Sequence, residues 1–127
     1  MAVDNIRFDM IHRELKEIAD YVSNTIANLY FLVNSTEVVN VALQKELVYL
    51  PSSVENFVYV LKIERSSGNA LKVTAYLRDR SSISADTWLT PGLKVDAARN
   101  FIVSGGWTVV VGCFRDSTGV YVWIGYG

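Results

Sequence analysis

Few side chains of this chain are of the kinds that do chemistry. A general base, a nucleophile or a metal ligand works only with partners within hydrogen-bond or coordination reach. The single histidine, His12, stands among charged residues of a helical pattern. It reads as a solvated surface histidine. The single cysteine, Cys113, stands in Val109-Val110-Val111-Gly112-Cys113-Phe114, where a buried thiol is the default. One cysteine cannot form an internal disulfide, and one histidine with one cysteine cannot supply the ligand set of a structural zinc. Asp79 and Asp86 flank a polar stretch with Arg78 and Arg80. Calcium would require several carboxylates at cage spacing, so this stretch reads as a solvated loop open to a partner. Trp88, Trp107 and Trp123, with Tyr121 and Tyr126, could line a ligand groove, although strand aromatics usually serve as core or cross-strand pairs. Asn34-Ser35-Thr36 is a glycosylation acceptor triplet, and Asn34 is its candidate site. No catalytic residue, cofactor or metal is expected.

Composition narrows the classes further. The chain has 127 residues, 50% of them hydrophobic and 20% charged, which suits one globular domain and excludes disorder and low-complexity classes. Its net charge of −1 lacks the basic excess that phosphate contacts demand, so nucleic acid is not an expected partner. The longest apolar runs, Leu29 to Val33 and Phe57 to Leu61, are five residues each. A membrane-spanning helix needs about 20.

The elements that would position these side chains divide near Asn34. Ile11, Leu15, Ile18, Val22, Ile26, Leu29 and Val33 recur at intervals of three and four residues, one stripe of a helix. Neither glycine nor proline interrupts residues 1–33. Asp4 or Asn5 is the expected N-cap and Asn34-Ser35 the expected stop. Such a helix is roughly 45 Å long, more than the roughly 30 Å breadth of a compact domain this size, so part of it is expected to project. Its first half has one apolar stripe and a charged face. Its second half, uncharged from Tyr21 to Asn34, reads as packed into a core.

After the helix the pattern alternates with period two. Val39 to Tyr49, Phe57 to Ile63, Leu71 to Leu77, Leu93 to Ala97, Asn100 to Val103, Trp107 to Arg115 and Val120 to Tyr126 read as strands. Asp79 to Thr87 reads as a loop, and Ser66-Ser67-Gly68-Asn69 as a hairpin turn. The fold class is therefore α+β, a single domain in which an N-terminal helix (residues 1–34) packs on an antiparallel sheet or β-sandwich (residues 37–127).

Several stretches carry a resemblance. The helix contains Glu14-Leu15-Lys16-Glu17-Ile18-Ala19-Asp20-Tyr21-Val22 and Leu29-Tyr30. Strands with Lys45-Glu46-Leu47-Val48-Tyr49-Leu50-Pro51-Ser52 and Phe57-Val58-Tyr59-Val60-Leu61-Lys62-Ile63 follow, and Ser104-Gly105-Gly106 leads into the final hairpin. The combination resembles archaeal type IV pilin-like proteins with class III signal peptides, and the β-sandwich domains of archaellum accessory proteins. The resemblance implies a basic leader and an apolar anchor upstream of Met1, extracellular placement of the β-body, and a non-enzymatic role as a structural or accessory subunit of a surface filament or adhesive system. It also implies self or related subunits as partners, contacted through the helix, and the membrane as a partner only through that upstream segment. Ile11, Leu15, Ile18 and Val22 are the expected assembly interface, because an exposed apolar stripe must be covered by a neighbour; the other reading of the same stripe, the stronger one from Val22 onward, is that it covers the chain's own sheet. The alternative is a module that encloses a small ligand between the helix and a curved sheet.

Overall fold

The structure, a computed structural model, describes residues 2–66, 68 and 70–127, with side chains from Phe8 onward. Met1 lies outside the described residues, as do Ser67 and Asn69 of the expected hairpin turn, and the side chains of Asp4, Asn5 and Ile6 lie outside the described side chains. Helix α1 runs Ala2–Ser35, so helical backbone begins ahead of Asp4 and Asn5 rather than after a cap at either. Its 34 residues span about 50 Å at ~1.5 Å each. No helix of the described residues is long and apolar enough to cross a membrane.

Eight strands follow: β1 Val41–Glu46, β2 Tyr59–Arg65, β3 Leu71–Leu77, β4 Arg80–Trp88, β5 Lys94–Val95, β6 Phe101–Val103, β7 Val109–Asp116 and β8 Gly119–Tyr126. They form two four-stranded sheets, ordered β1-β7-β8-β5 and β4-β3-β2-β6. The layers meet where β6 and β2 touch β8 and β5. On the opposite side α1 packs against β4 and β3 of one sheet and β7 and β1 of the other. The helix thus fills the open mouth of a sandwich, and the α+β class is that expected from the sequence.

Two details depart from the alternation. The stretch expected as the Asp79–Thr87 loop is strand β4, paired antiparallel with β3. Ile83, Ala85 and Thr87 are its inward positions, but only Ile83 among them is a large apolar residue, and serines and an aspartate surround it, so the alternation is faint. β5 joins β8 in parallel, so the first sheet is mixed rather than antiparallel.

The helix stripe explains the packing. Ile11, Leu15, Val22, Ile26 and Val33 are fully buried, with Ile18 and Leu29 nearly so. They share one core with Leu61, Ile63, Leu71, Val73, Val111, Cys113, Val122 and Ile124 from the two sheets. The four residues expected to form an assembly interface, Ile11, Leu15, Ile18 and Val22, are therefore covered by this chain's own strands and offer a neighbour no surface. A period of 3.6 shows which residues share a face but not what covers it. The second half of α1 also departs from expectation, since Phe31 is 71% and Leu32 53% exposed. Two sheets cover one side of a helix, not its whole circumference.

On the outer face of β7 and β8, Gly112 pairs with Trp123 across the ladder. A Cβ on Gly112 would fall within the Trp123 ring, so the indole lies directly on the glycine backbone. Above it sits the Arg99 guanidinium, 3.9 Å from the ring centroid. Gly112→Ala is expected to destabilise the fold by about 1–3 kcal/mol, the usual cost of overpacking. In urea denaturation, the same substitution in a Trp123→Ala background should cost clearly less, because the clash would be gone.

Candidate interaction site

The loop after β1, residues 47–53, is held from three sides. Leu47 N–H donates to the Val109 carbonyl at 2.8 Å, which continues the β1–β7 ladder. Tyr49 N–H donates to the Tyr21 hydroxyl of α1 at 3.3 Å. The buried Tyr59 hydroxyl donates to the Pro51 carbonyl at 2.5 Å, and burial pushes that phenol up to about 12.

This loop separates two clefts. The cleft toward α1, about 610 Å³, is lined by Glu14, Glu17, Ile18 and Tyr21 of the helix and by Tyr49, Pro51, Ser53 and Glu55. Tyr21 and Tyr49 lie 6.1 Å apart at 58°. Burial raises the Glu14 carboxyl above its usual range, and the charges of Glu55 and Glu17 add to the effect. Glu55 and Asn56 both adopt left-handed backbone, at φ 48° and 68°, in the tight turn that bridges Val54 to Phe57. Carboxylates beside aromatic faces suit a cation. The cleft on the other side, about 240 Å³, is lined by Leu47, Tyr59, Ser104, Gly105 and Trp107 among others.

Beside these clefts the surface is unusually apolar. Val38 and Val39, just before β1, are 59% and 60% exposed, and Val48 and Tyr49, just after it, are 58% and 82% exposed. The segment carrying Val38 is fixed in place, since Arg115 of β7 donates to the Thr36 carbonyl at 2.8 Å and to that of Val38. An exposed apolar group on an ordered backbone is a feature of docking surfaces.

The residues singled out from sequence lie apart. His12 is exposed on α1, whereas Cys113 is buried on β7, where burial pushes its thiol up to about 11. Asp79 and Asp86 lie at opposite ends of β4, beside Arg78 at 3.4 Å and Lys72 at 3.5 Å. The tryptophans do not converge. Trp107 lines the smaller cleft, Trp123 packs on Gly112, and Trp88 is on the other sheet. Tyr121 stacks on Phe114 at 5.0 Å and 12°. Asn34 is exposed in the last turn of α1. Sequence reading did not find the Tyr21–Tyr49 cleft, because its walls are 28 residues apart. The exposed apolar pairs on either side of β1 had a readable signal: each continues the apolar pattern beyond the residues a six-residue strand can bury.

The fold defines an α+β sandwich with a helix in its mouth. No family model, curated protein or solved structure matches the chain.

The raised Tyr59 and Cys113 groups give a pH signature. Both ionise more readily unfolded, at their ordinary values of 10.0 and 9.0, than folded, at about 12 and about 11. The stability these two groups contribute is therefore complete below about pH 9 and is lost as pH rises through 11 and 12. The urea midpoint should fall across that window, and Cys113→Ala should flatten its first part, between about pH 9 and 11.

Proposed function

We propose that the chain is a non-enzymatic structural or accessory subunit that assembles with copies of itself or of related chains. It is of the cell-surface, pilus-like kind that its N-terminal helix resembles. One observation carries this reading: the core is already closed by α1, yet large apolar side chains stay exposed on ordered backbone at the end of α1 and on both sides of β1. Leaving them in water costs free energy that a docked neighbour would recover. Assembly then uses this rim rather than the Ile11–Val22 stripe. Extracellular placement agrees with an exposed acceptor at Asn34.

The Tyr21–Tyr49 cleft favours a second reading, a module that binds a small organic cation between aromatic rings and the carboxylates of Glu14 and Glu17.

Sedimentation velocity over a wide concentration range separates the two. The subunit reading expects a sedimentation coefficient that rises with concentration, with ordered oligomers visible by electron microscopy. A chain that stays monomeric throughout, while a tetraalkylammonium probe shifts the Tyr21 and Tyr49 ring resonances, would replace it with the binding-module reading.

A further inference from the structure

A sheet edge is a row of unpaired N–H and C=O groups that invites another strand, and folded proteins blunt such edges. This chain blunts two of its four edges with its own side chains. At β4 the Leu89 N–H bond to the Leu71 carbonyl assigns the odd-numbered residues to β3, so the even-numbered ones face outward. Two of those outward carbonyls are occupied by α1: Lys16 Nζ donates to Asp86 at 2.7 Å and Ser23 Oγ to Trp88 at 3.2 Å. At β6 the outward residue Val103 is bonded at both backbone groups by the Tyr126 hydroxyl, which accepts from its N–H at 2.8 Å and donates to its carbonyl at 3.2 Å. A third edge, β5, is only two residues long.

The edge at β1 is different. The Leu47 N–H bond to the Val109 carbonyl shows that the odd-numbered residues pair with β7. Ala42, Gln44 and Glu46 therefore turn their N–H and C=O groups away from the sheet, and their side chains are exposed. Among the described residues, none of those backbone groups has a partner. No bulge or proline interrupts the six residues.

We infer that the β1 edge is a docking edge for β1 of a second copy of this chain, paired antiparallel about a two-fold axis so that the two four-stranded sheets become one sheet of eight. The inference rests on the self-assembly reading above and names its surface. Two features select a second copy as the occupant. Exposed apolar pairs sit at both ends of the strand, Val38 and Val39 before it and Val48 and Tyr49 after it. Antiparallel pairing lays each end against the opposite end of the other copy. Charge then narrows the register, since the outward even-numbered residues must face one another. Lys45 opposite Lys45 of the second copy is repulsive. Leu43 opposite Leu43 avoids this: it sets Lys45 against Val41, lets Ala42 exchange hydrogen bonds with Gln44, and brings the apolar segment before each strand toward the one after the other. One added strand makes a small contact, below the ~1,200 Å² of stable complexes, so the dimer is a weak one seen at high concentration.

The test joins sedimentation with amide hydrogen exchange followed by NMR. Wild-type chain should dimerise with concentration while the amides of Ala42, Gln44 and Glu46 become protected in step. Gln44→Pro removes an outward N–H and leaves the β7 ladder untouched. It should weaken dimerisation at least about tenfold, with the β1–β7 amides still protected. Val38→Lys with Val48→Lys, which keeps every β1 residue, should do the same if Gln44→Pro perturbs folding. Dimerisation unchanged in these variants, with the three amides exchanging freely, would overturn the β1 edge while leaving self-assembly standing. A wild-type chain that never dimerises would overturn both.

Discussion

The structure depends on burying one aliphatic stripe from two sides. Ile11, Leu15, Ile18, Val22, Ile26, Leu29 and Val33 present a continuous apolar face that a single sheet would cover only in part. Here two sheets converge on it, each supplying strands, and α1 keeps their far edges apart. Each fully buried aliphatic side chain contributes on the order of 1.5–3 kcal/mol. The stripe, shared with the inner faces of both sheets, is therefore the main source of cohesion in a chain with one cysteine and no disulfide.

That arrangement has a consequence at the edges. Because α1 lies beside β4, its polar face reaches the outward carbonyls of that strand, and Lys16 and Ser23 occupy them. The same helix passes the inner side of β1 without reaching its edge. The helix that completes the core thus closes one side of the molecule and leaves the other open. The apolar residues that flank β1 belong to this asymmetry, as does the Tyr21–Tyr49 cleft where the loop after β1 returns to the helix.

Much of the fold was legible along the chain. The stripe on α1 shows in spacings of three and four, and seven strands show in alternation. What misled is equally specific. β4 carries Ser81, Ser82, Ser84 and Asp86, and its strand character comes from pairing with β3 rather than from any hydrophobic run. The candidate site was less legible still. Its parts are a free backbone edge, which has no residue signature, and valines whose exposure depends on where the neighbouring strand ends.

The sequence alone determined which residues are apolar, with what period, and hence the helix, most of the strands and the α+β class. It also determined the isolation of His12 and Cys113 as chemical groups. Tertiary structure alone decided what covers each apolar face. It turned Ile11, Leu15, Ile18 and Val22 into core and left Val38, Val39, Val48 and Tyr49 bare. The physical reason is that periodicity is a property of one segment, whereas burial and edge exposure belong to segments brought together from far along the chain, as where Arg115 holds the Thr36 carbonyl 79 residues away.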